Sequence, residues 1–189
     1  VVMSSIDNNE LFEKYYQKEY DFNTTSLSLD EIDAIKKLAR EKRVDYASAP
    51  MGIGVFDWIQ KQSSDIRFEL VSFESDKIDG MLYIPTMGKE RAYIILNSNK
   101  PLVNQAFAAA HEFYHYIKDY QVFKEKPYIC DFSMLKDVNE KKACRFAAEI
   151  LFPEEALNRE VRDYCRSLRA TDFKSLNFNQ IASFIIVMT

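Results

Sequence analysis

The sequence predicts an α+β fold: a small antiparallel three-stranded sheet packed against a helix that carries the motif H-E-x-x-H, with several further helices around them. Three observations carry this expectation. Residues 66–73, 79–84 and 91–96 are rich in β-branched and aromatic side chains, and turn signals at 75–77 and 86–88 separate them. Much of the remaining chain has helical periodicity with recognisable start and stop signals. Finally, His111 and His115 are four residues apart, so a helix projects both from one face.

The elements follow in order. Residues 1–26 form an N-terminal extension with an aromatic cluster at Phe12, Tyr15, Tyr16, Tyr20 and Phe22, a short helix over 9–18 and a loop at 23–25. Ser28 followed by Glu31 is a capping box, and Asp30, Glu31 and Asp33 suit the positive first turn of a helix. Ile32, Ile35, Leu38 and Ala39 are its apolar stripe. Lys36, Lys37, Arg40, Lys42 and Arg43 crowd its second half, where a helix dipole favours cations. The Gly52-Ile53-Gly54 turn leads into a short helix over 55–61 that buries Val55, Phe56, Trp58 and Ile59.

The three strands form a meander, and the motif helix starts at Pro101, a residue suited to a first turn. Phe107, Ala108, Ala110, His111, Tyr114 and His115 give it a broad inward face. Residues 118–137 read as a long connection with aromatic anchors, the wall or lid of a cleft. A second strong helix over 139–152 stops at Pro153, a third spans 153–168, and a fourth begins at 177. No stop signal follows that last helix, so the sequence is expected to be truncated within it. The chain thus divides into an extension (1–26), a core (27–155) and a C-terminal helical segment (156–189).

Composition narrows the function. The hydrophobic fraction of 47%, with 14 Phe and 11 Tyr, indicates a globular chain. A net charge of −4 gives no global electrostatic case for nucleic acid, and the basic run at 36–43 is weak evidence for it. No run reaches the ~18 apolar residues of a membrane span, and the polar start lacks a secretory signal pattern. Three cysteines, Cys130, Cys144 and Cys165, form no C-x-x-C pair. That argues against a disulfide framework and a thiolate zinc site, and for the reducing cytoplasm.

The motif carries the chemistry. His111 and His115 are the only 2 histidines in the chain, and H-E-x-x-H arises by chance in roughly one such sequence per thousand. On one helix face both imidazoles reach a single metal ion, and Glu112 beside them takes a proton from an attacking water. The bland alternative is a buried helix whose histidines bond neighbouring carbonyls. A catalytic zinc site needs a third protein ligand, here a carboxylate. Glu140 precedes Ala143 by three residues and Ala147 by seven, which puts it on the buried face of its helix. Glu149 lies about 180° round and is expected to face solvent. An N-terminal carboxylate favoured by the helix dipole is the alternative for Glu140.

With these residues in place, a resemblance becomes specific. The motif, followed 25 residues after His115 by Glu140-Lys141-Lys142-Ala143-Cys144-Arg145-Phe146-Ala147-Ala148-Glu149-Ile150-Leu151-Phe152-Pro153, resembles the ImmA/IrrE family of gluzincin metallo-endopeptidases. The family has a glutamate, two residues, Ala-Asn or Ala-Asp, then Phe-Ala, a leucine-rich turn and proline. The hydrophobic segment ending at Leu96-Asn97 and the Phe107-x-x-Ala110-His111-Glu112 lead-in are also similar. The resemblance covers roughly residues 30–155. Cys144 stands where the family has Asn or Asp, a position that helps hold a ligand imidazole, and the chain ends before a winged-helix-like portion expected of the family.

The resemblance implies a zincin-like core and a zinc enzyme of the cytoplasm. Its substrate would be a helix-turn-helix repressor encoded nearby, on a mobile element or in a stress response. His111, His115 and Glu140 would bind Zn2+, with Mn2+ or Fe2+ as alternatives, and Glu112 would be the general base. Tyr128 is a candidate oxyanion stabiliser, although a packing role is the commoner one for such a tyrosine. A substrate peptide could add to the sheet edge near 91–97. The other class of reading is a non-cleaving antirepressor or toxin–antitoxin-type interaction protein. Cys144 and the short C-terminus favour it, and an intact Glu112 disfavours it.

Overall fold

A computed structural model describes residues 27–46, 49–85, 91–123, 128–131 and 137–188. The expected helix and aromatic cluster of the first 26 residues, and the turn signal at 86–88, lie outside them. The described elements are α1 (Leu29–Lys42), a 3-10 turn (Gly52–Gly54), α2 (Val55–Gln62), β1 (Ile66–Val71), β2 (Ile78–Tyr83), β3 (Ala92–Asn97), α3 (Leu102–Phe123), β4 (Tyr128–Asp131), α4 (Val138–Leu151), α5 (Glu154–Ser167), a second 3-10 turn (Phe173–Ser175) and α6 (Phe178–Met188). The α+β class stands. Among the described residues no helix is long and apolar enough to cross a membrane.

The sheet is mixed and larger than a three-stranded meander. Its strand order is β1-β3-β2-β4. β1 runs parallel to β3, with Ile66 opposite Ala92 and Val71 opposite Asn97. β2 is antiparallel to both β3 and β4. Turn signals mark where the chain reverses but not which neighbour a strand takes, so the meander was the wrong pairing. The segment after β1 passes over to the far side of β3, and β2 and β3 form the hairpin. β4 falls inside the stretch read as connection, where α3 also runs on to Phe123. Asn97 ties the sheet end together: its Nδ2 donates to the Ile78 carbonyl at 2.8 Å, and its Oδ1 accepts from the Asn99 amide at 3.0 Å.

α3 lies close on the sheet because small residues face each other. A Cβ added at Gly80 would sit 3.2 Å from the Ala108 Cβ and 3.4 Å from the Ile95 carbonyl oxygen. Ala108, Ala109 and Ala110 are buried beneath it. Trp58 of α2 packs edge-on against Phe113 of α3 at 5.2 Å. On its other side α3 meets α4 through Tyr114 and Phe146, with ring centroids 5.4 Å apart.

α4 is enclosed on two faces, since α1 packs against the side away from α3. The capping box of α1 forms as expected: the Glu31 amide donates to Ser28 Oγ at 3.2 Å and the Ser28 amide to Glu31 Oε2 at 2.9 Å. Glu31 then receives Lys142 of α4 at 2.9 Å. Arg43 is not a solvated end-of-helix cation. It is buried, and its guanidinium donates to the Glu149 carbonyl at 3.1 Å and to the carbonyls of Ile150 and Ala49. Lys36 likewise pairs with Glu154 at 2.7 Å. The basic run of α1 therefore holds α1 to α4 and α5. Further along, Tyr164, Phe173 and Phe184 gather α5, the second 3-10 turn and α6 into a small cluster.

Candidate metal centre

The site is built by the packing of α3 on α4. Alanines fill the turns before the motif, so α3 can bury a polar pair against α4 without steric conflict. His111, Glu112 and His115 are buried. Glu140 sits in the first turn of α4, whose start is fixed by Asp137 accepting from the Asn139 amide at 2.8 Å. This turn points Glu140 into α3. Its Oε2 lies 3.1 Å from His111 Nε2 and its Oε1 3.2 Å from His115 Nε2, while the two Nε2 atoms are 3.2 Å apart.

These spacings allow a test of whether a metal fits. Three donors of a tetrahedral zinc site, with bonds near ~2.0–2.1 Å, must stand about 3.3 Å from one another. His111 and His115 offer two nitrogens 3.2 Å apart, and the Glu140 carboxylate brings one oxygen to 3.1 Å from His111 and the other to 3.2 Å from His115, all three groups buried. The donor set fits a borderline cation such as Zn2+. One wall of the site belongs to Cys144, one helical turn after Glu140, whose Sγ is 3.5 Å from His111 Nδ1. Nε2 of His111 therefore faces the donor cluster and Nδ1 faces sulfur.

The electrostatics agree with that division. Burial lowers the basicity of His111, and contact with Glu140 only partly restores it. Burial alone would raise the Glu140 carboxyl, but the contacts with His111 and His115 outweigh it and hold the group at about 2. A neutral imidazole and an ionised carboxylate are the forms that bind metal. The Cys144 thiol is pushed up to about 12 by burial and by the neighbouring Glu140 and Glu112, so it stays protonated.

The other expected residues fall as follows. Tyr128 begins β4, opposite Leu82 of β2; its side chain lies outside the described residues. Glu149 does not face solvent. It is 7% exposed, paired with Arg145 at 2.5 Å and accepting from the Glu154 amide at 3.3 Å. The helical angle was right, but the far side of α4 is covered by α1 and α5 and not by water. The strand at 92–97 is no edge: β3 is hydrogen-bonded on both sides, and among the described residues the outer strands are β1 and β4. Two residues with no local sequence signal proved structurally prominent. They are Arg43, hidden in a basic run, and Asp79, a nearly buried carboxylate read only as the start of a strand.

Two histidines and a glutamate are buried at one point between two helices of an α+β scaffold, with a second carboxylate beside them, a cluster that could hold a metal ion. Over residues 61–182 the chain matches the family described as IrrE N-terminal-like domain, Peptidase_M78, and it belongs to that family. The match begins within α2 and ends within α6. No curated protein gives a match to the chain.

Proposed function

We propose that the protein is a cytoplasmic zinc metallo-endopeptidase that hydrolyses a peptide bond in a helix-turn-helix transcriptional repressor. The convergence of His111 Nε2, His115 Nε2 and Glu140 within 3.1–3.2 Å, with Glu112 adjacent, carries this reading. His111, His115 and Glu140 hold the metal. The ligand set favours zinc, and manganese or iron would occupy the same donors where supply favours them. When bound, zinc supplies Lewis acidity, lowering the pKa of a water towards ~7 and polarising a carbonyl.

Glu112 takes the proton of the attacking water and returns it to the leaving amine. Burial among α3, α4 and the sheet excludes bulk water and strengthens each of these interactions. Cys144 positions the His111 ring through Nδ1. Tyr128, at the head of β4, is the residue proposed to donate to the oxyanion. An extended substrate is held by strand addition at an outer strand of the sheet, β4 being the one that follows α3 in the chain.

The repressor as substrate is carried by the family resemblance; the residues themselves support peptide-bond chemistry. Incubating the zinc-loaded protein with the repressor encoded beside its gene should give two fragments, and none after chelation. An intact repressor that nevertheless loses its operator in the presence of the protein would support the second reading, a non-cleaving antirepressor. One observation favours that alternative: a protonated thiol stands at Cys144 against His111, where the family places a stronger hydrogen-bonding partner.

A further inference from the structure

A groove opens where the second half of α3 meets α1 and the start of α4. Its apolar walls are the buried Ile35 and Tyr114, the half-buried Leu38 and the exposed Ala34. At the rim Lys142 is paired with Glu31 at 2.9 Å. Lys118, also at the rim, is exposed and meets no carboxylate among the described residues, so the groove carries one uncompensated positive charge there. The volume is about 150 Å³, and a cavity of roughly that size holds one benzene ring. Apolar walls, room for one ring and a cationic rim suit an aromatic side chain with an acidic neighbour.

The chain supplies such a segment close by. Tyr20-Asp21-Phe22 sets an acid between two aromatic residues, with Glu19 before them. Residues 23–28 join Phe22 to the first residue of α1, and an extended chain of that length reaches about 20 Å. Glu31, at the near end of the groove, is the third residue of α1, so the tether is long enough. Charge agrees: residues 1–26 hold Asp7, Glu10, Glu13, Glu19 and Asp21 against Lys14 and Lys18, opposite in sign to the rim. We infer that the N-terminal extension docks on its own chain at this groove, with a ring of Tyr20-Asp21-Phe22 between α1 and α3 and an acidic neighbour at Lys118. Docking there ties the extension to the helix that carries His111 and His115, one turn beyond His115.

NMR of the full chain tests this. Replacing both rings, Tyr20→Ala with Phe22→Ala, should shift the amides of Ala34, Leu38 and Lys118 and leave those of β3 in place. Conversely, Ala34→Trp fills the groove from the exposed side of α1. It should give residues 19–23 the amide shifts they have in a synthetic peptide of residues 1–26. Should the indole unfold α1, Lys118→Glu at an exposed position serves the same end: like charges at the rim should raise the peptide-like fraction about twofold or more. Groove amides unmoved by the double substitution overturn the docking, as do peptide-like shifts already present in the wild type. Groove shifts that grow with protein concentration put a second copy there and overturn docking within one chain.

Discussion

Glu112 and Glu140 are both buried carboxylates within one cluster, and substitution separates their roles. Glu112→Gln keeps shape but removes the base, so the protein should stay folded and metallated while cleavage falls by ~10² or more. Normal turnover of a confirmed substrate would remove Glu112 from the mechanism. Glu140→Ala should instead lose most of the metal by elemental analysis, and wild-type stoichiometry there would exclude it as a ligand. Cys144→Asp should bind metal as tightly or more tightly, because a carboxylate is a better partner than a thiol for His111 Nδ1, and such partners typically change affinity ~10–100-fold. Release of metal, or a sulfur about 2.3 Å from zinc in a metal-bound structure, would make Cys144 a ligand. At this scale the sequence was informative because helix spacing is rigid: residues 111, 115 and 140 could be placed by counting. It misled at Glu149, where counting gave the angle but not what occupied that side.

Among elements, helices were legible and strand partners were not. A capping box, a proline stop and an apolar stripe are local, whereas the β1–β3 pairing joins residues from separate segments, and β4 is only 4 residues long. Arg43 is the sharpest case of a tertiary role without a local signature. Arg43→Ala should lower stability by about 3 kcal/mol, since it strands carbonyls at the end of α4 that lose a charged donor. Arg43→Lys should recover little of it, lacking the planar fork; full recovery in urea titration would show that charge alone matters. The α1–α4 contact has its own pH signature. Lys142, with the Ser28 backbone and hydroxyl, holds the Glu31 carboxyl at about 2, below its ordinary 4.5. Because the folded value is the lower one, its contribution is present above about pH 4.5 and is lost as pH falls towards about 2. The gap in urea midpoint between wild type and Glu31→Gln should therefore narrow between about pH 6 and about pH 3; a constant gap would refute the linkage.

For the molecule as a whole, the donor cluster couples ligand binding to folding, since its three residues come from two helices that must pack before the donors meet. A metal at 100 times its dissociation constant should stabilise the fold by about 2.7 kcal/mol, roughly 5–10 °C in melting temperature for a chain of this size. Chelation should reverse the gain, and Glu140→Ala should abolish it. The outer strand β1 has a different consequence. Its last three residues, Glu69, Leu70 and Val71, are exposed, with Leu70 at 62% and Val71 at 43%. Among the described residues no strand pairs with its outer side, and such an edge with apolar tips is a template for chain-to-chain pairing, so concentrated samples should scatter more light with time. Leu70→Lys should lengthen the shelf life of such samples at no cost to turnover, a practical gain that follows from where the crossover placed a single strand.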